Sequence, residues 1–162
     1  MGDSVIDIKY DLGARNSYCT PRWLTDLLPE VSLDPCSNPR STVRAKLTYS
    51  LESGRDGLSL PWIGSCFVNP PFADIMPWAL KGEEATVTAL AYLVNVDSST
   101  AWWKRIQAHC QYALLFSKRI QFTPPQGVAV STNSKPQALL CNRAFKTMCE
   151  GRLDEHGTWW QQ

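Results

Sequence analysis

Two consecutive prolines, Pro70 and Pro71, stand one residue after the apolar run Cys66-Phe67-Val68. Proline holds φ at about −65° and has no N–H, so neither a strand nor a helix continues through the pair. Cys66 to Val68 is therefore expected to be a strand that ends in a rigid turn, Asn69-Pro70-Pro71-Phe72. The other apolar stretches sort around it. Thr86 to Val94 is a β-rich run, expected to be the central strand. Val31-Ser32-Leu33, Leu47-Thr48-Tyr49, Tyr112 to Ser117 and Gln137 to Cys141 read as further strands. Thr20-Pro21 reads as the N-cap and first residue of a helix. Trp23, Leu24, Leu27 and Leu28 give that helix one apolar face, and Pro29 ends it. Residues 75–84, with Trp78 and Leu80 toward the core, and Ser99 to His109 are two more helices. Strands separated by helices predict an α/β layered fold with a mostly parallel sheet and helices on both faces. Such sheets bind ligands beyond the carboxyl ends of their strands. Asp34-Pro35, Asp56-Gly57 and Asn69-Pro70-Pro71-Phe72 each follow a candidate strand, so they are expected to gather on one edge.

The chain of 162 residues suits one core. Residues 1–17 are polar and weakly patterned, an expected mobile arm; residues 18–162 are expected to form a single domain. Arg143 to Gln162 carries no readable functional signature, and Trp159-Trp160 are expected to dock the tail onto the body. No apolar run approaches the ~18–20 residues that cross a bilayer. Met1 to Asp7 has no basic-then-apolar leader, so a soluble intracellular protein is expected. Six cysteines stand without a C-x-x-C pair, several of them in apolar strings, and read as buried free thiols. His109 and His156 are the only histidines and have no ligand spacing, so no metal site is expected. Net charge is only +1, yet it is unevenly spread. Residues 1–97 carry net −4 and residues 150–162 net −2. Residues 98–149 carry seven basic side chains and no acid. An acid-free stretch of this length is a candidate surface for a polyanion.

A strand running into Asn-Pro-Pro-aromatic resembles the catalytic motif of S-adenosylmethionine-dependent methyltransferases that act on planar amino or amide nitrogens. Three further segments fit that order. Tyr18-Cys19-Thr20-Pro21 is similar to the motif at the methionine end of the cofactor. Leu33-Asp34-Pro35-Cys36 is similar to the first cofactor motif, an acid at the end of the first sheet strand. Asp56-Gly57-Leu58 is similar to the segment whose acid reaches the cofactor adenine. Together with Trp102-Trp103, Lys118-Arg119-Ile120-Gln121-Phe122 and Pro136 to Leu140, the run resembles the small phage and prophage DNA N6-adenine methyltransferase (Dam) family over roughly residues 17–142.

The resemblance implies a Rossmann-like methyltransferase fold, S-adenosylmethionine as cofactor, double-stranded DNA as partner, and the cytoplasm of a bacterial or phage-infected cell. It implies that Asn69, Pro70, Pro71 and Phe72 hold the target base, and that Tyr18, Thr20, Pro21, Asp34, Pro35, Cys36, Asp56, Gly57 and Asn69 hold the cofactor. The adenine amine is a weak nucleophile because its lone pair is delocalised into the ring. Asn69 oxygen and the Pro70 carbonyl are suited to accept from it, and proline's fixed φ keeps that carbonyl rigid. Phe72 offers a face to a flipped-out base. Positioning and electrostatics suffice for the transfer. The glycine-rich turn usual after the acid of the first motif is replaced by Cys36-Ser37-Asn38-Pro39. With no large target-recognition domain, DNA contact is expected from loops, with Lys118, Arg119 and Lys135 as the first candidates. Two other functions fit the same residues: methylation of a glutamine side-chain amide in a protein, and a non-catalytic binding module on a decayed methyltransferase scaffold.

Overall fold

The computed structural model describes residues 18–125 and 133–162. The expected mobile arm, residues 1–17, lies outside the described residues, as does the middle of the polar loop 123–136.

Seven strands and four α-helices are present along the described residues. Helix α1 (Arg22–Leu27) precedes strands β1 (Val31–Asp34), β2 (Ala45–Thr48) and β3 (Ser65–Val68). Then come α2 (Met76–Glu84), β4 (Ala89–Asn95), α3 (Ala101–His109) and β5 (Tyr112–Phe116). Strand β6 (Gln137–Cys141), α4 (Arg143–Met148) and β7 (Gly157–Gln161) close the fold. The strands form one sheet in the order β2-β1-β3-β4-β6-β5-β7.

The α/β class and the Rossmann-like arrangement hold, but the sheet is mixed rather than mostly parallel. β2, β1, β3 and β4 pair in parallel. β6 runs antiparallel to both β4 and β5, and β7 runs antiparallel to β5. The chain between β5 and β6 makes no helical crossover among the described residues, so β6 returns directly beside β5 and must oppose it.

Both faces of the sheet are covered. Leu90, Tyr92 and Val94 of β4 point to one face, where Trp78 and Ala79 of α2 and Trp103 and Ile106 of α3 pack. Ala89, Ala91 and Leu93 point to the other, against Leu24 of α1, Leu28 at its end and Phe145 of α4. The alternation has period two, as a sheet buried on both sides requires. Trp103 is buried and Trp102 is half-exposed. Three expectations on side chains fail. Trp23 is 44% exposed and Leu80 38% exposed, because at about 100° per residue each turns away from the buried positions of its helix, Leu24 and Thr25 in α1 and Trp78, Ala79 and Gly82 in α2. Thr20 does not cap α1: Pro21 holds the N-cap position, and its carbonyl starts the helix by accepting from Leu24 and Thr25 N–H.

None of the six cysteines forms a disulfide; five are buried and Cys36 is half-buried. Among the described residues no helix is long and apolar enough to cross a membrane. Among them also, no group of three or more His, Cys, Asp or Glu is placed to hold a metal ion.

Candidate active site

The carboxyl ends of β1, β3 and β4 open on one edge of the sheet. β5 opposes β6, which opposes β4, so β5 also exits there and β6 begins there. Asp34, Asn69, Lys118-Arg119 and Lys135 are thus all placed at this edge.

Asn69 leaves β3 and its Nδ2 donates to Thr20 Oγ1 at 3.1 Å. Nitrogen is turned to Thr20, so Oδ1 is turned away; among the described residues no donor reaches Asn69 Oδ1 or the Pro70 carbonyl. Pro70 is buried and Pro71 half-buried. The Pro71 carbonyl closes the turn by accepting from Asp74 N–H at 3.0 Å. Phe72 is half-buried, and its ring meets Phe122 edge-on, with centroids 5.3 Å apart and planes at 80°.

Two distant segments are drawn in beside this turn. Cys19 and Thr123 exchange both backbone hydrogen bonds at 2.9 Å, which ties half-buried Tyr18 and buried Thr20 to the loop carrying Phe122. Arg40 Nη1 donates to the Pro124 carbonyl at 3.0 Å, and Cys19 Sγ donates to Asn38 Oδ1 at 3.4 Å. The loop after β1 is therefore joined to the same cluster.

Asp34 ends β1 and is only 3% exposed. Its Oδ1 accepts from Cys36 N–H at 3.1 Å, and the Ser37 hydroxyl also favours the ionised form. Burial outweighs both and pushes the carboxyl up to about 7. Burial also pushes the Cys36 thiol well up, helped by the charges of Asp34 and Glu52, so it is not a poised nucleophile. Pro35 is buried, and Gly57 lies against it: a Cβ at Gly57 would sit 1.8 Å from the Pro35 carbonyl oxygen. Only glycine permits that approach. The Gly57 carbonyl accepts from Trp62 Nε1 at 2.7 Å, fixing the turn against the core. Asp34-Pro35 and Asp56-Gly57 are thus adjacent, as expected. Both carboxylate oxygens of Asp56 are engaged in its own turn: Oδ1 accepts from Leu58 N–H at 3.0 Å and Oδ2 from Ser59 Oγ at 2.7 Å.

The family model described as DNA N-6-adenine-methyltransferase (Dam) matches residues 13–154. The chain belongs to the Dam family. No curated protein and no solved structure matches it significantly. Membership of a methyltransferase family implies S-adenosylmethionine as the methyl donor, and Asp34 is a buried carboxyl at the end of β1 with which such a group can be compared. The buried Asp34 carboxyl, with one backbone amide and one hydroxyl as partners, has acceptor capacity of the kind an ammonium or ribose hydroxyl can use.

The seven basic side chains of residues 98–149 do not form one surface in this Dam-family chain. Lys118, Arg119 and Lys135 are exposed at the edge that carries Asn69. Arg105 pairs instead with Glu83 at 3.0 Å. Arg143 and Lys146 line a hollow with Tyr112 at the opposite edge, where Lys146 also sits over the Trp159 ring at 4.9 Å. Sequence reasoning assigns Phe122 no role. Its aromatic character is visible, but its neighbour Phe72 lies far away along the chain, so no local signal joins the two.

Proposed function

We propose that the protein transfers a methyl group from S-adenosylmethionine to N6 of an adenine swung out of double-stranded DNA. The observation that carries this is the Asn69–Thr20 hydrogen bond. With Nδ2 turned to Thr20, Asn69 Oδ1 is left as an acceptor beside the Pro70 carbonyl, which proline's fixed φ holds, at the carboxyl edge of the sheet. Two acceptors match the two protons of an exocyclic amine. Accepting both draws electron density onto nitrogen and fixes the direction of its lone pair. Acceptors held before substrate arrives need no reorganisation during reaction. Phe72 offers its ring to the unstacked base, and Phe122, edge-on to Phe72, bounds the same space.

The bound cofactor supplies the electrophilic methyl on its sulfonium. Asp34 accepts from it, with Cys36 and Ser37 orienting the carboxyl, and the Asp56-Gly57 turn and the Tyr18-Cys19-Thr20-Pro21 segment flank it. Lys118, Arg119 and Lys135 contact DNA phosphates from the rim. A glutamine amide offers a similar planar nitrogen, but the exposed cations at this edge and the family membership support DNA. Plasmid DNA incubated with methyl-labelled cofactor and digested to nucleosides tests the reading. Label in N6-methyladenine is expected. Label in cytosine, or transfer only to protein, overturns it.

A further inference from the structure

Gln137 is polar, uncharged and 0% exposed at the start of β6. Its Oε1 accepts from Ile120 N–H at 2.7 Å. Its Nε2 donates to Asn95 Oδ1 at 3.0 Å and to the Lys135 carbonyl. One side chain thus joins the end of β4, the approach to β6 and the segment that leaves β5. That segment is pinned at three places. Ser117 N–H donates to the His156 carbonyl at 2.9 Å, Ile120 is held by Gln137, and Thr123 pairs with Cys19. Between the pins stand exposed Lys118, Arg119 and Gln121, and half-buried Phe122. Ile120 itself is 1% exposed, so its N–H has no water to turn to if the amide is lost.

We propose that Gln137 is a positioning residue for the reaction: it sets the middle of segment 117–123 so that Phe122 bears on Phe72 and Lys118 and Arg119 stand at the rim. The proposal rests on the reading of the site as a DNA adenine methyltransferase. Gln137 acts through the Ile120 amide, and its own bonds to Asn95 and the Lys135 carbonyl hold it in the orientation that accepts from Ile120. An amide is suited to this because it accepts toward Ile120 while donating toward Asn95 and Lys135. A carboxylate reverses the second half, since it faces the Asn95 oxygen and the Lys135 carbonyl with no proton to give. A protonated carboxyl restores it. The groups facing this position are uncharged: the Asn95 side chain and the backbone of Ile120 and Lys135. The Lys135 and Arg119 side chains are exposed to solvent.

The test compares wild type, Gln137→Glu and Gln137→Met. Near pH 8, Gln137→Glu is expected to raise KM for DNA by about tenfold with little change in S-adenosylhomocysteine affinity, and to recover as pH falls and the buried carboxyl takes up its proton. Gln137→Met, similar in volume and without the bonds, is expected to show the loss without recovery. A folded Gln137→Glu with wild-type KM for DNA at every pH overturns the proposal, as does a loss of cofactor affinity equal to the loss for DNA. Hydrogen exchange of the Ile120 amide in the wild type is a measurement that needs neither variant nor turnover. Strong protection is expected, and rapid exchange overturns the pin outright. If wild type transfers no methyl to DNA while the Ile120 amide is protected and is released in Gln137→Met, the pin stands as geometry and the substrate reading is what fails.

Discussion

Replacing Asp34 by Asn is expected to make the protein more stable and its cofactor binding worse. Asp34 is 3% exposed, and burial raises its carboxyl from 3.8 to about 7. An acid whose folded value lies above its unfolded one binds its proton more tightly in the native state. Its contribution to stability is therefore complete below the unfolded value and is lost as pH rises to the folded value. The displacement corresponds to about 4 kcal/mol, at 1.36 kcal/mol per pKa unit, withdrawn between roughly pH 4 and pH 7. Asparagine has the same shape, still accepts from Cys36 N–H, and never ionises. Urea unfolding should find Asp34→Asn more stable near pH 8 by up to about 4 kcal/mol, with the difference shrinking toward zero near pH 4. Calorimetric titration of S-adenosylhomocysteine should meanwhile show a loss of roughly 1–3 kcal/mol, the ordinary cost of removing a charged hydrogen-bond partner. A stability difference that is flat from pH 4 to pH 8, or a variant less stable than wild type at pH 8, refutes the burial reasoning. Gained stability with unchanged affinity leaves the burial intact and removes Asp34 from the cofactor site.

Asn69→Ala removes one of the two acceptors and is expected to lower turnover on DNA by on the order of 10²–10³ with little effect on S-adenosylhomocysteine affinity; near-normal turnover rules out the role assigned to the amide. Phe72→Tyr should be tolerated and Phe72→Ala should not, since ring stacking is worth about 1–3 kcal/mol per base. The fluorescence of 2-aminopurine at the target position reads this directly, and an alanine variant that still holds the base unstacked removes Phe72 from the pocket. Lys118→Gln with Arg119→Gln should reduce the slope of log affinity against log salt by about 0.9 for each phosphate that is no longer neutralised. Parallel salt titrations of wild type and variant would return both side chains to plain solvated surface.

Much of the fold is legible in the sequence because its signals are local. Gln137 to Cys141 reads as a strand and is β6 without change. The helix expected from Ser99 begins after Thr100, whose hydroxyl accepts from Trp103 N–H at 3.3 Å. The misses have physical causes. Helix α4 has six residues and buries only Phe145, too little to show a helical period. β7 is an edge strand, and its adjacent Trp159 and Trp160 hide the alternation: both are apolar, yet Trp160 is 60% exposed. Strand direction is not legible either, because nothing within a strand states which way its neighbour runs. In the site, Asn69, Asp34 and Gly57 are marked by turn chemistry at strand ends. Thr20 is marked as well, but for the wrong bond. A Thr-Pro pair is a local capping signal, and a partner 49 residues away competes with it invisibly.

The antiparallel return of β6 does more than change the sheet's description. It opposes Asn95 to Gln137 in register, which brings the start of β6 to the edge where β3 and β4 end. A parallel β6 would begin at the other edge, and Gln137 would face neither Asn95 nor Ile120. The segment leaving β5 would then lose its middle pin, and Phe122 would be held only through Thr123 and Cys19. Cys19 adjoins Thr20, and Thr20 orients Asn69. Asn69, the proposed acceptor, is therefore linked through Ile120, Thr123, Cys19 and Thr20 to Gln137, and so to the direction in which β6 runs. Short, separately weak sequence motifs specify one site because the mixed sheet leaves them a single edge on which to meet.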